Sequence, residues 1–124
     1  MSKSLMIVDD SATMRKIIMR TIRMSGLEFD RTEEAGNGNE AIEKLGAETV
    51  DIMLCDVNMP EMGGQELVRQ VRQIDACADT KIVMVSTESD PELIDSVMSD
   101  GANGFINKPF TPEKFYENLS PFMN

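Results

Sequence analysis

The chain contains no histidine, only two cysteines, and 12 Lys+Arg against 22 Asp+Glu in 124 residues. Without histidine it lacks the commonest general base and the commonest transition-metal ligand. Two cysteines fit a reducing compartment. Cys55, inside an apolar run, reads as a small core residue, and Cys77, in a polar turn, as a free thiol. The shortage of basic residues leaves a net charge of −10, which repels nucleic-acid backbones and anionic lipid. Such a surface suits a protein that meets cations or basic partners. No apolar run approaches the ~18 residues of a membrane span, and the N-terminus has no signal h-region, so a cytoplasmic location without membrane insertion is expected. No linker, repeat or low-complexity stretch is visible, so residues 1–124 are expected to form a single domain.

What is present is a core. Apolar residues make up 41% of the chain, too many for disorder, and the length suffices without disulfide or metal staples. Eleven methionines read as adaptable filler. Ile52–Cys55 is an apolar run without polar alternation, the pattern of a strand covered on both faces. Residues 5–8 and 82–85 read the same way, and residues 105–106 form a shorter strand. Residues 28–35 are weaker and charged, which suits an edge. Between the strands lie helical patterns: residues 12–25 behind a Ser11 cap and closed by Gly26, 39–45, 64–74, 91–99 starting on Pro91, and a last helix starting on Pro112. Residues 75–80 read as loop. Five alternations of strand and helix predict a doubly wound α/β fold, a five-stranded parallel sheet flanked by five helices. The flavodoxin-like order 2-1-3-4-5, an order already known for such sheets, places the polar second strand at an edge.

The notable polar residues fall at the carboxyl ends of buried strands: Asp9 and Asp10 after the first, Asp56 after the third, Ser86 after the fourth, Lys108 after the fifth. That rim is where open α/β sheets bind ligands. Each residue alone also has a plainer reading: Asp10 or Ser11 as caps, Ser86 as a loop hydroxyl, Lys108 as a surface charge. Taken together they have an electrostatic consequence. Two carboxylates ~5 Å apart repel by roughly 3 kcal/mol at an effective dielectric of ~20. One ammonium cannot balance three such groups. A hard divalent cation can, and all-oxygen ligation points to Mg²⁺, with Mn²⁺ as a substitute. Mg²⁺ held by few protein ligands commonly also holds a phosphoryl oxygen. The rim therefore reads as a phosphoryl-accepting site with Asp56 as nucleophile and with Lys108 and Ser86 on the phosphoryl oxygens.

At these residues the chain resembles the receiver domain of bacterial response regulators. The resemblance spans nearly the whole chain: Val8-Asp9-Asp10-Ser11, Asp56-Val57-Asn58-Met59-Pro60 with Gly64, Ser86, and Lys108-Pro109-Phe110. It implies phosphorylation of Asp56 by the phosphohistidine of a partner histidine kinase, since the chain has no histidine of its own. It also implies Mg²⁺ binding by Asp10, Asp56 and the Asn58 carbonyl, with Asp9 helping through water, and a cis Lys108-Pro109 bond. In the family's switch Ser86 moves toward the phosphoryl group and Phe105 turns inward; the plainer reading of Phe105 is an ordinary core ring. The face of the fourth helix, fifth strand and fifth helix would then change its affinity for an output protein.

Because nothing follows Asn124, no output domain is expected, and the chain resembles the stand-alone chemotaxis type, a monomer that binds a protein such as the flagellar motor switch. Asn58 and Glu88 resemble the pair that flanks the attacking water in quick self-dephosphorylation. Four departures stand out, one being Ser86 in place of a threonine, which keeps the hydroxyl and loses a packing methyl. Gly63 replaces a frequent Asp and is expected to loosen its loop. Thr87 replaces a smaller residue and is expected to narrow access to Asp56 and slow phosphotransfer. Phe105 lacks the hydroxyl of the tyrosine often found there. Two alternatives remain: a phosphorelay or sporulation-type shuttle receiver, and a Mg²⁺-dependent aspartyl phosphatase. The phosphatase would want a second acid where Asn58 stands.

Overall fold

The odd and even residues of each buried strand go to opposite faces, and each face has its own helices. A computed structural model describes residues 3–123. Strands β1 (Ser4–Val8), β2 (Arg31–Ala35), β3 (Ile52–Cys55), β4 (Lys81–Ser86) and β5 (Gly104–Asn107) form one parallel sheet in the order β2-β1-β3-β4-β5. Leu5, Ile7, Ile52, Leu54, Val83, Val85 and Ile106 face helices α1 (Ala12–Ser25) and α5 (Pro112–Leu119), meeting Ile18, Ile22, Phe115 and Leu119. Met6, Val8, Met53, Cys55, Ile82 and Met84 face α2 (Gly38–Ala47), α3 (Gly64–Arg72) and α4 (Pro91–Ser99), meeting Leu45, Leu67, Val68 and Val97. This two-sided burial explains why the strands read as unbroken apolar runs. The expected doubly wound architecture and strand order are those observed.

Local chemistry sets the helix ends. The side chains of Ser11, Asn37, Asp90 and Thr111 each accept a hydrogen bond from a first-turn amide of the helix they precede. Gly26, at φ 89°, closes α1 in the left-handed conformation that glycine adopts without penalty. No helix among the described residues is long and apolar enough to cross a membrane.

Three expectations need correction. The edge strand begins at Arg31, not residue 28, and Phe29 leaves the sheet to pack with the α1 and α5 layer. Helix α3 ends at Arg72, so Ile74 leads into a 3-10 turn over Asp75–Cys77. Cys77 is a free thiol, as expected, but it is fully buried rather than held in a polar turn. Burial raises its pKa. The turn can fold inward because the Arg72 guanidinium binds the carbonyls of Cys77, Thr80 and Gly101 at 3.1, 2.8 and 3.0 Å.

Candidate functional site

The sheet order brings the ends of β1, β3 and β5 to one rim. Asp9 follows β1 and continues its pairing, its amide donating to the Ala35 carbonyl at 3.1 Å. Asp56 follows β3 in the same way, its amide donating to the Val8 carbonyl at 3.0 Å. The chain leaving Asp56 is clamped at the start of α3, where the Gly64 amide donates to the Val57 carbonyl at 2.8 Å. A Cβ at Gly64 would strike the Asp56 carbonyl, so this close approach requires glycine. Lys108 follows β5, its amide donates to the Ser86 carbonyl at 2.8 Å, and the Lys108-Pro109 bond is cis, as expected.

Side chains separated by up to 99 positions thus converge. One carboxylate oxygen each of Asp9, Asp10 and Asp56 lies within 4.8 Å of the others. The Lys108 ammonium stands 3.5 Å from Asp9 Oδ2 and 3.9 Å from Asp56 Oδ2. Asp56 is only 9% exposed. Burial raises its pKa above the usual carboxylate value; Lys108 pulls it back, Asp9 pushes it up further, and the amides of Asn58 and Val57 lower it. At Asp9, Oδ1 accepts from the Ser11 amide at 2.9 Å, while Oδ2 is buried with no hydrogen-bond partner among the described residues. The lysine contact, at 3.5 Å, is an ion pair and not a hydrogen bond.

A buried orphan carboxylate oxygen among hard oxygen donors is an arrangement that fits Mg²⁺.

Ser86, fully buried at the end of β4, accepts from the Glu88 amide at 3.2 Å. Asn58 and Glu88 meet across the mouth, Asn58 Nδ2 donating to Glu88 Oε1 at 3.3 Å. Asn107 Nδ2 holds the Glu88 carbonyl at 2.6 Å. Thr87 is exposed and lines, with Met14, Ile17, Lys108, Pro109 and Phe110, a cavity of about 440 Å³ beside the rim. Phe105 is not at the rim; it is half-buried against the α2, α3 and α4 layer.

The sequence pattern marks Arg15 only as one of several basic residues on the polar side of α1. In the fold its guanidinium reaches behind the rim to the Asp9 carbonyl and to Glu34. No motif announces that contact, because Glu34 lies on another element.

Residues 5–120 match the family described as response regulator receiver domain. The chain is 40% identical over 116 residues to the chemotaxis protein CheY1 of Helicobacter pylori, covering 93% of this chain and 92% of that one. It is 42% identical over 116 residues to the chemotaxis protein CheY homolog of Campylobacter jejuni, covering 93% and 88%. Among solved structures, chemotaxis protein CheY4 of Vibrio cholerae superposes with a TM-score of 0.87 at 34% identity, covering 99% of this chain and 100% of that one. A chain of the CheX-CheY-BeF3-Mg+2 complex from Borrelia burgdorferi gives a TM-score of 0.84 at 26% identity, covering 98% and 90%.

Proposed function

This chain belongs to the response regulator receiver family, and we propose that it is the chemotaxis-type member of a two-component system, with residues 1–124 as one monomeric receiver that takes a phosphoryl group on Asp56. The observation that carries this reading is the convergence of Asp9, Asp10 and Asp56 within 4.8 Å, with Lys108 beside them. The donor is the phosphohistidine of a partner kinase. An ionised oxygen of Asp56 forms the new O–P bond as the P–N bond breaks, and the electron pair leaves with the donor imidazole. Lys108 serves two purposes in sequence. Its charge favours the ionised Asp56 despite burial, and it then pairs with the phosphoryl oxygens. Asp9, Asp10, Asp56 and the Asn58 carbonyl would hold Mg²⁺, or Mn²⁺ in its place. Bound there, the divalent cation supplies charge neutralisation for the carboxylates and the transferring group.

The remaining residues read the result. Ser86, at the rim end of β4, swings its hydroxyl toward the phosphoryl oxygens and gives up the Glu88 amide. Phe105, whose position pairs with Met84 in the sheet register, turns inward behind it. The face of α4, β5 and α5 then binds a separate output protein, such as a flagellar motor switch. Asn58 and Glu88, joined across the mouth, flank the path of the water that ends the signal. Thr87 at the entrance slows both access and transfer.

Mass spectrometry after incubation with acetyl phosphate and Mg²⁺ tests the site. One phosphoryl group is expected on the protein and none on Asp56→Asn. Equal labelling of that variant would overturn the assignment.

A further inference from the structure

We propose that Arg15, through its bond to the Asp9 backbone, is a positioning residue that sets the affinity of the acidic rim for Mg²⁺; the inference deepens the reading above and rests on it. The Arg15 side chain is 17% exposed and forked between two elements. Its Nη1 donates to the Asp9 carbonyl oxygen at 2.6 Å and its Nε donates to Glu34 Oε1, on β2, at 2.8 Å. The Asp9 carbonyl belongs to the peptide plane that joins Asp9 to Asp10. Holding that oxygen fixes the plane, and with it the direction in which both carboxylates leave the backbone. The other attachments of Asp9 are its amide on Ala35 and Oδ1 on the Ser11 amide. Together with Arg15 they hold every polar atom of Asp9 except Oδ2, the buried atom without a hydrogen-bond partner. Asp9 is thus tied down at three points so that its fourth polar atom is presented to the rim.

Charge alone predicts the opposite effect of Arg15. A guanidinium next to an acidic pocket repels an incoming cation, so its removal would tighten Mg²⁺ binding. Here Glu34 pairs with it at 2.8 Å and opposes that field. What remains is geometry, and partners that orient metal ligands from behind typically change affinity 10- to 100-fold when removed. Lysine would keep the charge but not the planar fork that spans both oxygens.

Calorimetric titration of Mg²⁺ into the full chain separates the two roles, with melting temperature measured on the same samples. Wild type, Arg15→Gln and Arg15→Lys are compared at one pH and ionic strength. Both variants are expected to bind Mg²⁺ about tenfold more weakly. A Kd within twofold of wild type in either folded variant, or a tighter one in Arg15→Gln, overturns the inference; a merely structural arginine would lower the melting temperature and leave Kd alone. If Arg15→Gln does not fold, Arg15→Lys decides by the same criterion. Wild type that takes up no Mg²⁺ at tens of millimolar overturns the functional reading itself and this inference with it, whereas wild-type binding with unchanged variants overturns only the role of Arg15.

Discussion

The two ends of the sheet both carry polar side chains and treat them in opposite ways. At the amino ends of the strands, these polar groups find partners. Asp51 Oδ2 accepts from the Ser4 amide at 2.8 Å and the Ser4 hydroxyl at 3.1 Å. Thr80 Oγ1 donates to the Val50 carbonyl at 2.7 Å, and Arg72 fills its donors on three carbonyls and on Asn103 Oδ1. At the carboxyl ends, three carboxylates crowd together, one lysine faces two of them, and a buried oxygen goes without a hydrogen bond. Buried polar groups are normally satisfied. The end that satisfies them is built for stability, and the end that does not is poised for a ligand. The difference teaches that this fold separates the two tasks by a strand's length.

The contrast predicts mutational effects of opposite sign. At the satisfied end, Arg72→Met keeps the apolar stem and removes four hydrogen bonds from a partly buried cation. The Gly101 and Thr80 carbonyls lose that donor, and the turn carrying Cys77 loses its anchor. A loss of about 3 kcal/mol is expected in urea unfolding. A loss below about 0.5 kcal/mol would erase the distinction between the ends.

At the crowded end, removing a charge should help. Asp56→Asn, without divalent cation, relieves the repulsion from Asp9 while Lys108 keeps its nearer partner, Asp9, at 3.5 Å. A gain of about 1 kcal/mol is expected. The pH dependence carries the same sign. The folded-state pKa of Asp56 is raised above the ordinary 3.8. Between those two values the folded state holds more protons than the unfolded, so its stability falls as pH rises through that window. Wild type should show this loss upward from about pH 4, and Asp56→Asn should lack it. Superimposable stability-pH curves for the two proteins would break the argument.

Which end could be read from the sequence follows from the same contrast. Asp9, Asp10, Asp56, Ser86 and Lys108 are legible because each lies at the carboxyl end of a strand with an apolar run, and the strand order brings those ends to one rim. The paired end is not legible. Arg72 is one of two basic residues on α3, and its acceptors at Gly101 and Asn103 lie 29 and 31 positions away. Cys77 sits among Asp75, Ala76, Ala78 and Asp79, with no large apolar residue beside it to mark it as core, and is drawn inward by that arginine. Arg15 escapes notice for the same reason, since its acceptors, the Asp9 carbonyl and Glu34 on β2, both lie on other elements. Periodicity records which residues are buried by their own element. It does not record which are bound by another.

The smallest predicted effect sits between the two ends, in the loop from Asp56 to α3. Gly63 reads from sequence as a loosening glycine, yet its backbone is at φ −71°, ψ 164°, a conformation open to any residue. The left-handed position in this loop is Glu61, at φ 68°. Gly63 is the N-cap of α3 and offers no side-chain hydrogen bond to the first turn. A Cβ there would meet only the Val57 carbonyl, at 3.5 Å, an ordinary contact. Gly63→Asp would therefore add a cap and place a negative charge at the positive end of the helix dipole, for a gain of a few tenths of a kcal/mol. Near the rim the added charge opposes part of that gain, but it lies outside the 4.8 Å cluster of Asp9, Asp10 and Asp56. The expected rise in melting temperature is about 1 °C. A fall instead would mean that negative charge is already saturated well beyond the three converging carboxylates, and that the unsatisfied end of the sheet is larger than its hydrogen bonds indicate.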